Sequence, residues 1–280
     1  MKKKIVFIGE GPLFNHCIKL SLKKIKKFSV ITSSKNKKLL RLNKKFYINY
    51  KNLNKIKKID FLLSIMNGRI IDQNVLDKVD YPINFHDGPL PKYGGLYSST
   101  WAILKNENTH GCCWHLMTSK IDSGDILSSK DFRIEDTDTA YTVDLKSLIY
   151  GFEMYETHIL RMIRQNSIRV KKKNNKIISY FGKKDFSKIP NKGLLNFKKS
   201  LKYNYKLFRA LSLSKEKTSL LFQPKISWKN KIMAVNNFNE ISVDSIKFFE
   251  KNKNITYNNN SIFVRKNNKY YQLKLKKKKF

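Results

Sequence analysis

The chain has 280 residues, of which 41% are hydrophobic, and a formal net charge of +37. It is long enough to bury an α/β core beside a small second domain, and too rich in apolar residues to be intrinsically disordered. No apolar run approaches the roughly 20 residues of a membrane-spanning helix, and three cysteines without a CxxC motif exclude a disulfide framework, so we expect a cytoplasmic protein without membrane contact.

The first 90 residues predict strands that alternate with helices. Short apolar or β-branched runs predict five strands, at residues 4–8, 28–32, 46–50, 60–66 and 82–86. Apolar residues at helical spacing predict helices at 13–25 and 70–79. Because strands that alternate with helices form doubly wound sheets, we expect an α/β domain with a parallel sheet and a ligand beyond the carboxyl ends of its strands.

The turn Gly9-Glu10-Gly11 lies after the first strand, where a dinucleotide-binding loop would lie. It lacks the third glycine at the required spacing, and no acidic residue ends the second strand. We interpret it as a tight strand-to-helix turn.

The remaining elements change in character after a lysine-rich run near residue 171. Before it, we predict a helix at 98–104, strands at 111–117 and 124–128, and a long helix at 139–164. After it, we predict one helix and four short strands, at residues 201–213, 225–228, 232–236, 262–265 and 270–275. This change predicts a small C-terminal β-barrel, and we divide the chain into domains at 1–181 and 182–280.

The positive charge is unevenly distributed. Residues 81–160 carry 6 Lys and Arg against 11 Asp and Glu, so the other 200 residues carry a net +42. The chain has 50 lysines and only 8 arginines, whereas specific RNA sites favour arginine. Two interpretations remain open: compositional drift on a solvated surface, which we favour, and recognition of an anionic partner such as tRNA or an acidic carrier protein.

A polar cluster follows the fifth predicted strand, within the segment that escaped the lysine enrichment. Asn84 and His86 are separated by one residue, so both side chains leave the strand on the same face. Two prolines and three glycines follow, and Asp122-Ser123-Gly124 comes later in the chain. Each residue alone is typical of a turn or of a buried structural histidine, but their combination at one strand end indicates chemistry.

With this combination the chain resembles the folate-dependent formyltransferase family. The hallmark of that family is Asn-x-His, then Leu-Pro-x-x-x-Gly, then Asp-x-Gly. Here these motifs are Asn84-Phe85-His86, Leu90-Pro91-Lys92-Tyr93-Gly94-Gly95 and Asp122-Ser123-Gly124. The resemblance implies a Rossmann-like catalytic domain and an OB-like C-terminal barrel. It also implies 10-formyltetrahydrofolate as formyl donor, no metal, and a catalytic triad of Asn84, His86 and Asp122.

The chemistry of such enzymes explains why these residue types are needed. An amine attacks the formyl carbon, and negative charge grows on the formyl oxygen. N–H groups of Asn84 and His86 can stabilise that charge, while Asp122 orients the imidazole, favours its protonated form and helps to remove the amine proton. We interpret His115, which follows Trp114 on a strand, either as a packing residue or as support for this cluster.

The same resemblance implies a folate pocket at the strand ends that flank the triad. We expect backbone groups of two short segments to line it: Gly68, Arg69, Ile70, Ile71, Lys120 and Ile121.

The acceptor amine is less well defined by the sequence. Residues 87–96 read Asp-Gly-Pro-Leu-Pro-Lys-Tyr-Gly-Gly-Leu, which differs from the motif of methionyl-tRNA formyltransferases and is similar to formyltransferase domains of peptide and polyketide assembly lines. We therefore expect a small-molecule or carrier-bound primary amine, with initiator methionyl-tRNA as the alternative. A formyltetrahydrofolate hydrolase and a catalytically silent RNA-binding protein are two further alternatives.

Overall fold

The computed structural model describes residues 3–173, 176–214, 223–242, 255–258, 260–266 and 269–275. The chain divides into two compact units. Unit 1 comprises Met1–Ser98, Asn108–Ile134 and Val143–Gly182, and unit 2 comprises Ser99–Glu107, Glu135–Thr142 and Lys183–Phe280. The division into domains at 1–181 and 182–280 stays a prediction.

The strands of unit 1 form a six-stranded sheet and a separate two-stranded sheet. In chain order they are β1 (Ile5–Gly9), β2 (Ser29–Ile31), β3 (Ile59–Ile65), β4 (Val79–His86), β5 (Gly94–Gly95), β6 (Thr109–Leu116), β7 (Ile126–Arg133) and β8 (Tyr180–Phe181). The larger sheet has the order β2-β1-β3-β4-β6-β7, and β5 pairs with β8.

The larger sheet is mixed rather than uniformly parallel. Strands β1 to β4 pair in parallel, as predicted, but β6 is antiparallel to β4, and β7 is antiparallel to β6. The residues between β6 and β7 form turns and bends, too short a connection for the helical crossover that a parallel pair needs. The predicted α/β sheet is therefore confirmed, and its parallel part ends at β4.

Helices cover both faces of this sheet. They are α1 (Gly11–Lys24), α2 (Ser34–Leu40), α3 (Gln73–Leu76), α5 (Ala140–Met154) and α6 (Leu160–Gln165), and a π-helical turn at Tyr155–Ile159 joins α5 to α6. Helix α4 (Ser98–Leu104) belongs to unit 2 from Ser99 onward. Because successive side chains of a strand point to opposite faces, Phe7 of β1 packs in one core cluster with Phe14, and Val6 packs in the other with Val75.

Two predicted elements are wrong. Residues 46–50 form no strand: Tyr47 makes a single parallel bridge to Val30, and 3₁₀ turns precede and follow it. Asn43 begins the first of these turns by accepting the Lys45 N–H. The helix predicted at 70–79 shrinks to the four residues of α3, because the chain already enters β4 at Val79.

Unit 2 contains helix α7 (Leu201–Leu211) and a five-stranded antiparallel sheet in the order β11-β12-β13-β10-β9. Its strands are β9 (Lys225–Trp228), β10 (Lys231–Ile241), β11 (Ile255–Asn258), β12 (Ser261–Lys266) and β13 (Lys269–Leu275). The ring of Phe238 packs against four other aromatic rings: Phe197, Tyr205, Phe208 and Tyr271. The predicted C-terminal β-sheet is confirmed, and its OB-like character stays a prediction.

Candidate active site

Strand β4 carries Asn84 and His86 near its carboxyl end, between two neighbouring strands. Asn84 pairs with Ser64 of parallel β3 and with His115 of antiparallel β6, and His86 pairs with Cys113 of β6. The chain that leaves β6 then turns back and brings Asp122 to the same place. The structure therefore gathers the three predicted triad residues and adds His115.

The four side chains are closely spaced, and all but the half-buried Asn84 are buried. Asp122 Oδ2 lies 3.8 Å from His86 Nδ1, and Asp122 Oδ1 lies 3.7 Å from His115 Nε2. The amide nitrogen of Asn84 lies 3.0 Å from His115 Nε2. His86, His115 and Asp122 retain 6%, 1% and 9% of their exposure, so their charges and lone pairs act on one another with little screening by water.

The backbone of residues 93–95 holds two members of the cluster. His86 Nε2 lies 2.8 Å from the carbonyl oxygen of Tyr93, and Asp122 Oδ2 accepts the N–H of Gly95 at 2.7 Å. A carbonyl oxygen can only accept a hydrogen bond, so Nε2 carries the proton of a neutral His86 ring. Its other nitrogen, Nδ1, is the one that faces Asp122.

Strand β8 in turn holds this loop in place. The backbone N–H groups of Gly94 and Leu96 donate to the carbonyl oxygens of Ser179 and Phe181, at 2.9 and 2.8 Å. The Tyr93 N–H donates to Ser179 Oγ at 2.9 Å. This support was not predicted, because a two-residue strand held by backbone hydrogen bonds leaves no periodic pattern in the sequence.

The glycines of the motif allow this close approach. Gly95 has a φ of +92°, and a Cβ atom there would lie 2.3 Å from the Phe181 carbonyl oxygen. A Cβ at Gly88 would lie 2.6 Å from His86 Nε2, and one at Gly124 would lie 1.8 Å from the Leu116 carbonyl oxygen. Asp122 itself has a φ of +56°, a left-handed conformation that Asp adopts more readily than most residues.

The electrostatics of the cluster favour a neutral His115. Burial lowers its pKa to about 4, outweighing the opposite effect of Asp122, and the nearby His86 lowers the pKa further. Burial also raises the pKa values of the neighbouring Cys112 and Cys113 thiols far above their ordinary value. Both thiols are therefore protonated at neutral pH and unsuited to nucleophilic chemistry.

The residues predicted to bind folate lie in two loops. Asn67 shapes the first, since its side chain bonds the backbone carbonyl and N–H of Arg69 at 2.8 and 3.1 Å. The Arg69 guanidinium lies 4.4 Å from the centre of the Tyr50 ring. Gly68 and Ile70 are exposed in this loop, whereas Ile71 is buried in the core cluster with Val75.

The second predicted folate loop carries Asp122. Lys120 and Ile121 precede it and are exposed, and the Lys120 carbonyl oxygen accepts the hydroxyl groups of Thr118 and Ser123 at 2.9 and 2.6 Å. A role of either loop in folate binding stays a prediction.

Among the residues that the structure describes, no group of three or more His, Cys, Asp and Glu side chains is placed to hold a metal ion. No helix within the described ranges has the length and apolar character to cross a membrane.

Comparison with known proteins gives consistent matches. Residues 19–155 match the family model described as formyl transferase. The bifunctional polymyxin resistance protein ArnA of Wigglesworthia glossinidia brevipalpis is 34% identical over 193 residues, which span 65% of this chain but only 29% of that protein. The methionyl-tRNA formyltransferase of Malacoplasma penetrans is 27% identical over 236 residues, 75% of this chain and 71% of that protein.

A solved structure shares this fold. It is an N-formyltransferase from Helicobacter canadensis, in complex with folinic acid and dTDP-3-aminofucose. The two superimpose with a TM-score of 0.72 over 99% of this chain and 100% of that one, at 24% sequence identity.

Proposed function

We propose that the chain, whose residues 19–155 match the family model described as formyl transferase, transfers a formyl group from 10-formyltetrahydrofolate to a primary amine. The observation that carries this proposal is the cluster of half-buried Asn84 with buried His86 and Asp122, in which donor groups and one carboxylate converge at the end of β4. We assign residues 1–181 to the catalytic domain and 182–280 to a C-terminal domain.

Each triad residue has a separate part in the reaction. The amine nitrogen attacks the formyl carbon, and the charge that grows on the formyl oxygen is met by an amide N–H of Asn84. Nε2 of His86 is engaged with Tyr93, so the donor that His86 offers to the reaction is Nδ1–H of its protonated ring. The negative charge of Asp122, 3.8 Å away, stabilises this imidazolium.

The protons then balance within the cluster. Asp122 takes a proton from the attacking amine, directly or through a water molecule, and His86 gives one to N10 of the folate as the bond between N10 and the formyl carbon breaks. The products are the formamide and tetrahydrofolate. Transfer of the proton from Asp122 to Nδ1 of His86 restores the starting state.

Substitution of the triad tests this assignment. We expect Asn84→Ala, His86→Ala and Asp122→Ala each to lower formyl transfer by about 10²-fold or more, the usual loss for oxyanion and acid–base groups. His158, exposed on the π-helical turn, is the matched control, and His158→Ala should leave turnover unchanged. Near-normal turnover in a folded His86→Ala variant would contradict the proposal.

For the acceptor we propose a small-molecule or carrier-bound amine. The Helicobacter canadensis structure matches 99% of the chain in fold and contains dTDP-3-aminofucose. This amino-sugar nucleotide supports a small-molecule amine as the acceptor. The Malacoplasma penetrans relative favours methionyl-tRNA as the second candidate.

A direct comparison of acceptors distinguishes these candidates. Formyl transfer should be measured to a dTDP-3-amino sugar, to carrier-bound and free amino acids and to initiator methionyl-tRNA, each at two salt concentrations. Loss of formyl donor without any amine would instead indicate a hydrolase. Selective, salt-sensitive formylation of methionyl-tRNA would overturn our preference.

A further inference from the structure

His115 makes two contacts that together define the protonation of its ring. Its Nδ1 lies 2.8 Å from the carbonyl oxygen of Leu116, and its Nε2 lies 3.0 Å from the amide nitrogen of Asn84. The carbonyl can only accept, so Nδ1 carries the hydrogen. In a neutral ring Nε2 is then a bare lone pair, and it accepts an N–H from Asn84.

The opposite orientation of the Asn84 amide requires a charged ring. If the amide oxygen faced His115, Nε2 would need a hydrogen as well, and both nitrogens would be protonated. Burial of His115 at 1% exposure lowers its pKa and opposes that charge, although Asp122 favours it. Asp122 and His86 are the titratable groups that affect this ring. The neutral ring therefore selects the orientation in which the amide nitrogen faces Nε2.

We propose that His115 is a positioning residue: its Nε2 accepts one N–H of Asn84 and so keeps the second N–H of that amide for the reacting formyl oxygen. This inference rests on the proposed formyl transfer. Among the described residues, the bond to His115 is the one hydrogen bond of the Asn84 side chain, so the second N–H is not used elsewhere within them.

The turn after β6 holds the Leu116 carbonyl against the His115 ring. The Leu116 carbonyl that holds Nδ1 packs directly on the backbone of Gly124, where a Cβ atom would lie 1.8 Å from its oxygen. The glycine of the Asp-x-Gly motif thus leaves room for the carbonyl that anchors His115, two residues after the carboxylate that faces the same ring.

Two different substitutions of His115 separate positioning from packing. Gln can place an amide oxygen where Nε2 lies, whereas Met fills similar volume without an acceptor. We expect His115→Met to lower kcat at least about 10-fold, but by no more than the removal of an oxyanion donor does. The KM for the folate should change little. His115→Gln should restore most of the rate.

The Asn84→Ala background provides the decisive control. If His115 acts through Asn84, His115→Met should lower kcat no further in that background, whereas a packing role would cost the same factor in both. The same loss in both backgrounds, or equal rates for His115→Met and His115→Gln, would overturn the inference. Normal turnover of Asn84→Ala itself would instead contradict the proposed function.

A measurement on the resting protein needs no acceptor. With ¹⁵N-labelled protein, an N–H···N bond should give a scalar coupling between Asn84 Nδ2 and His115 Nε2, which is absent if the amide oxygen faces the ring. Observation of that coupling supports the inference even where no transfer is found. Its absence in folded protein with both signals assigned would refute it.

Discussion

Gly95→Ala should destabilise unit 1 and displace Asp122. A Cβ atom at this position would lie 2.3 Å from the Phe181 carbonyl oxygen, far inside the usual contact distance, so β5 and β8 must separate. Separation breaks the backbone hydrogen bonds to the carbonyl oxygens of Ser179 and Phe181. It also moves the Gly95 N–H that Asp122 accepts.

The expected loss of stability has two parts, the strained backbone conformation and the broken hydrogen bonds. A non-glycine residue held at a φ of +92° costs about 1–3 kcal/mol. Each of the two backbone hydrogen bonds contributes about 0.5–1.5 kcal/mol. Together they predict a loss of about 2–6 kcal/mol in the free energy of unfolding, and the misplaced carboxylate should lower formyl transfer as well.

Two other glycines of unit 1 separate the two effects. Gly11 has a φ of +88° but no atom within 4 Å of its Cβ position, so Gly11→Ala should cost only the conformational part, about 1–3 kcal/mol. Gly68 has neither restriction, and Gly68→Ala should change stability by less than about 0.5 kcal/mol.

Urea unfolding followed by tryptophan fluorescence provides the assay. Trp114 lies in unit 1 and the other two tryptophans in unit 2, so a background with Trp101→Phe and Trp228→Phe reports on unit 1. If Gly95→Ala loses no more stability than Gly11→Ala, the close contact between β5 and β8 is refuted.

Three further predictions concern protons, folate and charge. Burial lowers the pKa of His115 to about 4, so between about pH 6.5 and 4 the unfolded chain binds a proton that the folded protein does not. The free energy of unfolding should fall as the pH falls through this range, and His115→Gln should remove that part of the slope in urea titrations at several pH values. Titration with 5-formyltetrahydrofolate should saturate, and no binding at millimolar ligand would count against the folate site. If the lysine enrichment is compositional, replacement of Lys37, Lys38, Lys44 and Lys45 by glutamine should leave formylation of the true acceptor unchanged. The logarithm of the tRNA affinity should then lack the fall of roughly 0.7 to 0.9 per phosphate contact with the logarithm of the salt concentration.

The apolar pattern was sufficient to predict the main strands of both units. Runs such as 60–66 are buried on both faces, and burial of that kind produces a continuous apolar stretch that is visible in the sequence. Strand direction is different, because it depends on the connection rather than on the strand. The turn at 120–124 lies between β6 and β7, and a connection of turns and bends makes them antiparallel.

The two wrong elements fail for a related reason. Residues 46–50 and 70–79 contain apolar side chains, but these side chains lie on short turns, on the four-residue helix α3 and at the start of β4 rather than on one regular element. Ile71 and Val75 are buried in one core cluster although only the second lies in a helix. Burial alone therefore produces an apolar pattern that resembles a regular element without requiring one.

The candidate site was predictable where its residues lie close in sequence. Asn84 and His86 share a strand face by their spacing, which no tertiary information can change. The contact between Asn84 and His115 depends instead on the register of β4 against β6, and a one-residue slip would turn His115 to the opposite face. The sequence therefore left His115 open between packing and support, and the register places it on the amide.

The support from β8 shows why part of an active site leaves no motif. Ser179 and Phe181 hold residues 93–96 through backbone oxygen atoms, which every residue type offers, and only Ser179 adds a side-chain bond. The constraint appears in the sequence on the other side of the contact, as a glycine at 95 that no larger residue can replace without moving the strand. The glycines of the motif are thus required by the contact with a segment more than eighty residues away in the sequence. Through this contact that segment helps to place His86 and Asp122.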